Sequence, residues 1–127
     1  MTSSPEAPET PRRVRPEPRL PAPQELPAGW RLDRARPAIE RSYMFGDFAA
    51  AFSFMTRVAL LAERMDHHPE WRNVWNRVDI VLTTHDAGGI TDLDLTMAHA
   101  MESFAREAGA AQEALASKPS AALNPSR

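Results

Sequence analysis

Histidines concentrate the proton chemistry of this chain. His67 and His68 stand side by side before Pro69, and His85 precedes Asp86 and the pair Gly88-Gly89. Imidazole titrates near pH 6.5, so it gives or takes a proton at neutral pH with little tuning. Glu63 lies four residues before His67, a spacing that puts both on one face if a helix continues that far. Trp71 and Trp75 follow closely, and histidines at the edge of an aromatic-walled pocket suit general acid–base work on a flat ring. The residue set alone leaves a second reading open, since a surface histidine pair is more often structural. Three histidines and a carboxylate also resemble a metal-ligand set. Adjacent side chains rarely converge on one ion, however, and no histidine pair has i, i+4 spacing, so no metal site is expected. Asp94 has two compatible readings, as a site carboxylate and as the acid of a helix-capping box opened by Thr91.

Elements with two periodicities must hold these groups. Trp30-Arg31-Leu32-Asp33 and Ile39 to Phe45 read as short strands, the second with Ile39, Tyr43 and Phe45 on one face. Asp47 reads as the N-cap of a helix that Pro69 stops. That helix carries two apolar stripes, Phe48, Phe52, Met55, Ala59 and Ala62 beside Phe54, Val58, Leu61 and Met65. Such a helix lies against a sheet on one side and something else on another. Val74 to His85 alternates again, with Val78, Ile80, Leu82 and Thr84 on one face. After the glycine turn, a last helix places Leu93, Met97, Ala100, Met101, Phe104 and Ala108 at helical spacing. Strands and helices in this order predict an α+β layer, an antiparallel sheet with helices packed on one face.

Composition sets limits around that core. The chain has 127 residues, 43% hydrophobic and 25% charged, enough for one domain with tails. A formal charge of −2 favours neither nucleic acid nor an anionic membrane, and no apolar run approaches the roughly 20 residues of a membrane helix. The absence of cysteine removes disulfides and thiolate chemistry and fits a reducing compartment, so a cytoplasmic location is expected. Arg12-Arg13 is a twin-arginine pair without a following apolar segment, and is not read as an export signal. Of twelve prolines, eight fall between Pro5 and Pro27. Residues 1–28 are therefore expected to be a disordered, proline-rich tail, with Pro18-Arg19-Leu20-Pro21 in the P-x-x-P form of a proline-recognition ligand. Residues 29–110 are expected to form the domain and 111–127 a flexible C-terminal tail. A core of about 80 residues is small for a lone monomer, which makes a homo-oligomer the expectation.

The run Glu63-x-x-x-His67-His68-Pro69, the aromatic Trp75, His85 after nine intervening residues, and Asp94 together resemble the signature of the pterin-4a-carbinolamine dehydratases. Phe54-Met55-Thr56-Arg57-Val58-Ala59, His67-His68-Pro69-Glu70-Trp71 and Thr84-His85 leading into Gly89-Ile90-Thr91 resemble that family as well. The similarity runs from about Gly29 to Phe104. It implies a four-stranded antiparallel sheet with helices on one face. It also implies removal of water from 4a-hydroxytetrahydropterin to give quinonoid dihydropterin, within tetrahydropterin recycling. The pterin is then the substrate, and no metal or organic cofactor is implied. His67, His68 and His85 match the family's active-site histidines, with His68 and His85 assigned to proton transfer and His67 to substrate binding or the partner proton step. Glu63 and Asp94 would orient histidines or bind the amide and amino edge of the ring. Asp66, Pro69, Trp71, Trp75 and Thr84 complete the substrate-binding set. A homodimer or homotetramer and a functional link to an aromatic amino-acid hydroxylase follow from the same resemblance.

The chain departs from the family pattern in three places. Arg15 to Pro27 is too proline-rich to form readily the short helix that often precedes the first strand. Trp75 stands where tyrosine is more frequent, and Asp86 where a longer acid can occur. The alternative function is a non-catalytic one, a dimerisation or regulatory cofactor or a pterin-binding module. An intact histidine set argues against it, and nothing basic points to DNA.

Overall fold

The structure, a computed structural model, describes residues 16–111. Four strands, β1 (Arg31–Asp33), β2 (Ala38–Met44), β3 (Glu70–Val74) and β4 (Arg77–Leu82), form one antiparallel sheet in the order β1-β2-β4-β3. Period-two alternation decides which face is buried. Val78, Ile80 and Leu82 of β4 are buried, while Arg77, Asp79 and Val81 between them are only partly covered. Register sets Tyr43 opposite Val78 and Ile39 opposite Leu82, so β2 buries the same face. Helices α1 (Phe48–Met65) and α2 (Asp92–Glu107) pack there and close one apolar cluster, giving the α+β layer that the sequence predicts.

The helix starts agree with their local signals. The Asp47 carboxylate accepts from Ala50 N, and Thr91 with Asp94 makes a complete capping box on α2. The end of α1 differs from expectation. The helix stops at Met65, where Asp66 turns into the left-handed region (φ 54°) and its N–H reaches back to Ala62 and Glu63 carbonyls. Pro69 is therefore not what ends the helix, and Glu63 and His67 do not share a helical face.

Three further differences concern packing. The expected long strand from Val74 to His85 shortens to β4: Val74 is the last residue of β3, a strand the sequence reading did not include, Trp75 with φ 50° turns the chain, and His85 opens a 3-10 turn. Asn73 Nδ2 braces that turn by donating to the carbonyls of Trp75 and Arg77. On α1 the residues turned inward are Ala51, Phe54, Val58 and Ala62, whereas Phe48 and Phe52 are 48% and 54% exposed. Phe54 and Val58 of one stripe face the sheet, whereas Phe48, Phe52 and Ala59 of the other face outward and its Ala62 is buried. On α2 the buried set is Asp94, Leu95, Met97, Ala98, Met101 and Ala105, so Leu93, Ala100 and Phe104 lie at the border of the stripe.

The proline-rich segment is partly ordered. Residues 1–15 of the expected tail, and 112–127 at the other end, lie outside the described residues. From Pro16 onward the chain runs as a strap. Arg19 N donates to Ile90 O at 2.8 Å, Pro23–Glu25 makes one 3-10 turn, and Arg19 pairs with Glu25 and with Asp92 of α2. Proline denies this strap a helix or ladder but leaves it able to dock through side chains, as buried Pro21 does. Pro18 and Pro21 of the P-x-x-P run thus belong to a segment laid against the domain. Beneath it, Trp30 Nε1 donates to the Tyr43 hydroxyl (3.1 Å), which donates to Glu102 (2.6 Å). Burial, then the Glu102 hydrogen bond, pushes the Tyr43 phenol far up.

Candidate active site

The C-terminal end of α1, the start of β3, the end of β4 and the start of α2 meet at one end of the sheet. A groove of about 270 Å³ opens there, lined by Asp66, His67, His68, Thr83, Thr84, His85 and Asp86. The left-handed turn at Asp66 delivers His67 inward and His68 outward, since neighbours on an extended chain point to opposite sides.

His67 is 4% exposed and its Nε2 lies 2.6 Å from Asp94 Oδ1. Asp94 is fully buried, and its other oxygen accepts from the Thr84 hydroxyl (2.7 Å) and from Thr91 N (2.9 Å). Thr84 spends its proton on Asp94, so the 2.8 Å contact between the two threonine hydroxyls is donated by Thr91, which itself accepts from Leu93 N. The donor chain Leu93, Thr91, Thr84 ends on the carboxylate. An ionised carboxylate only accepts, so it assigns the proton of neutral His67 to Nε2. The residue that caps α2 therefore also holds a histidine at the groove.

The other two histidines repeat the pairing at the surface. His68 Nε2 lies 3.0 Å from Glu63 Oε1, and His85 Nε2 lies 2.9 Å from Glu70 Oε2. Glu70 Oε1 meets Arg36 at 2.7 Å. All three rings thus present Nε2 to a carboxylate, leaving Nδ1 as the atom free of these pairs. Among the described residues no group of three histidine, cysteine or acidic side chains is arranged to hold a metal ion.

The structure gathers most of the sequence-derived set. His67, His68, His85, Asp66 and Thr84 line the groove, Asp94 stands behind His67, and Glu63 reaches His68 rather than His67. Pro69 joins His68 to β3. Trp71 sits opposite Ile80 on the inner face and packs on the core. Trp75 lies at the β3–β4 turn, the end of that hairpin away from the groove, and within this chain is not brought to it. Glu70 and Thr91 were missed as partners, and Thr83 and Asp86 as lining residues. The run His68-Pro69-Glu70 held the signal for Glu70, but only a strand beginning at Glu70 carries it beside the end of β4. A second recess of about 270 Å³, lined by Pro21, Pro23, Leu26, Trp30, Arg31, Leu32 and Arg34, contains nothing that titrates near neutrality.

A helix-backed antiparallel sheet with histidine–carboxylate pairs around a groove at one end defines a small α+β domain equipped for acid–base chemistry. Residues 14–104 match the family model described as pterin 4 alpha carbinolamine dehydratase. The chain belongs to that family. A relative from Rhizorhabdus wittichii is 66% identical over 76 residues, spanning 60% of this chain and 78% of its own length. One from Rhodopseudomonas palustris strain BisB18 is 53% identical over 96 residues, spanning 76% and 94%. Both carry the provisional name pterin-4-alpha-carbinolamine dehydratase. Among solved structures, a transcriptional coactivator/pterin dehydratase from Brucella melitensis is 51% identical with a TM-score of 0.60, over 61% of this chain and 83% of the other. A pterin dehydratase-like protein described as a RuBisCO assembly factor of the alpha-carboxysome shares the fold at 22% identity, with a TM-score of 0.54 over 61% of this chain and 89% of the other.

Proposed function

We propose that the protein dehydrates 4a-hydroxytetrahydropterin to quinonoid dihydropterin and water. The observation that carries this is the set of three histidines at one groove, each with Nε2 against a carboxylate. The reaction breaks the C4a–O bond with its electron pair leaving on oxygen, delivers one proton to that oxygen, and takes one from a ring nitrogen. No electrons enter or leave overall, so proton donors and acceptors suffice and neither a metal nor an organic cofactor is required.

Exposure divides the histidines. His68 and His85 have side chains 57% and 69% exposed, which supports giving them the exchange of protons with substrate and with water. His67, closed off and tied to Asp94, suits substrate binding or the partner proton step from a fixed Nδ1. A histidine that takes up a proton at Nδ1 becomes an imidazolium whose Nε2–H still faces its carboxylate, which stabilises the charge. Glu63 thereby serves His68, and Asp66 and Thr84 border the space for the ring. The setting in keeping with this chemistry is tetrahydropterin recycling beside an aromatic amino-acid hydroxylase, in the cytoplasm. The outward stripe of α1 supports a homo-oligomer as the working form.

The test is the rise of quinonoid dihydropterin from freshly generated 4a-hydroxytetrahydropterin, measured against the uncatalysed rate. His68→Ala and His85→Ala are each expected to slow turnover by roughly 10²–10⁴, the contribution of a general acid–base group. A well-folded wild-type protein without acceleration, or a full rate in the double variant, overturns the reading.

A further inference from the structure

We infer that Glu70, held by Arg36, is the positioning residue of His85: it fixes the imidazole proton on Nε2 and leaves Nδ1 as the proton-accepting atom at the groove. The inference rests on the proposed dehydration for its kinetic part and on geometry alone for the rest.

His85 needs such a partner more than the other two histidines do. It sits on a single 3-10 turn, His85–Ala87, outside the last strand, with its side chain 69% exposed. Ladder pairing with β4 sets the backbone of Glu70, opposite Val81, and its Oε2 meets His85 Nε2 at 2.9 Å. Arg36, from the turn between β1 and β2, takes the remaining oxygen at 2.7 Å. Both contacts demand a donor from Glu70's neighbours. A guanidinium only donates and a carboxylate only accepts, so the ring nitrogen facing Glu70 must be the donor. Asp86 is the adjacent acid, and Asp66, His67 and His68 line the same groove, but it is Glu70 that accepts the hydrogen bond from His85 Nε2.

The amide isostere exposes this logic. In Glu70→Gln, Arg36 still requires an acceptor and holds the amide oxygen. The amide nitrogen then faces His85 Nε2, which must accept, and the ring proton moves to Nδ1. The substitution inverts the tautomer instead of merely weakening a contact. Removing Arg36 as well lets the amide turn over and present its oxygen to His85.

Long-range ¹H–¹⁵N spectra of the full chain at about pH 9, where imidazole is neutral, read this without any substrate. His85 is expected as the Nε2–H form in the wild type, as the Nδ1–H form in Glu70→Gln, and with the Nε2–H form restored in Arg36→Ala/Glu70→Gln. An unchanged His85 tautomer in Glu70→Gln overturns the assignment, whatever the activity. In the kinetic arm, Glu70→Gln lowers kcat by roughly 10- to 100-fold, part of the 10²–10⁴ owed to a general acid–base group, with KM within about twofold. An inverted tautomer with an unchanged kcat overturns the claim that turnover uses this orientation. A wild-type protein with no dehydratase rate overturns the proposed function instead, and the spectra then decide the role of Glu70 by themselves.

Discussion

Asp94 answers to two demands at once, and the chemistry of a carboxylate is why one residue meets both. Its Oδ2 closes the capping box of α2 and receives Thr84, while Oδ1 holds His67 in the interior. Asp94→Asn keeps the shape and breaks the logic. Thr84 and Thr91 N both donate, so the amide oxygen stays with them and the amide nitrogen turns to His67 Nε2, forcing the proton onto Nδ1. In an analogous serine-protease triad a wrong-tautomer histidine costs about 10⁴ in kcat. Here a kcat loss of at least roughly 10² is expected, with about 1–3 kcal/mol lost in urea unfolding for an imperfectly matched buried polar group. A substitution that lowers stability without touching kcat would leave Asp94 as a helix cap only. Part of this was legible in the sequence. Thr91 and Asp94 form a cap three residues apart, and local patterns of that kind are readable from spacing. The link from Asp94 to His67 spans 27 residues and has no local signature; only the family's motif pointed to it.

Elements explain what spacing could not. β3 escaped the reading because Glu70-Trp71-Arg72-Asn73-Val74 alternates without an apolar face, its inner residues being Trp71 and Asn73. The turn after it is built on Trp75 in left-handed backbone, where glycine or asparagine is the usual signal. With β3 unseen, Glu70 could not be placed beside His85. The strap failed for a different reason, since its proline content excludes regular structure but says nothing of docking. Part of its anchor, the Arg19 ion pairs, is electrostatic and therefore pH-dependent. Hydrogen bonds from Arg19 and from Ala22 N hold the Glu25 carboxyl down at about 2. A lowered folded pKa contributes stability above the unfolded value, 4.5 for Glu25, that is lost as pH falls toward the folded one. The strap is thus expected to loosen between about pH 4.5 and 2 while the core persists. Amide shifts of Arg19 and Ala22 against pH will follow it, and Glu25→Gln should bring the acid-side shifts to neutral pH. Both partners are exposed, so the effect on global stability is expected to be small and to shrink with salt.

For the molecule entire, the outward stripe of α1 is the feature that a lone chain does not use. Two stripes were legible in its sequence, and the sheet takes one of them. Phe48 and Phe52 stack on each other in the other, 5.6 Å between centroids, and exposed Ala59 continues the row, while Met55 packs partly on the core. Full burial of a side chain of this size is worth about 1.5–3 kcal/mol, and a domain this small gains proportionately from covering it. A second copy offers the same stripe, and a two-fold axis pairs it with itself. Phe52→Glu sets two like charges near that axis and removes two rings from it. Sedimentation is expected to move from an oligomer in the wild type toward monomer in the variant, with self-association weakened at least roughly tenfold, the equivalent of about 1.4 kcal/mol. The groove lies at the end of α1 remote from Phe48 and Phe52, bordered by Asp66 just past the helix. A monomeric Phe52→Glu that keeps its dehydratase rate would show the site to be complete within one chain. One that loses the rate together with the assembly would make the partner copy part of the active site, and an oligomer that survives Phe52→Glu would move the interface off this stripe.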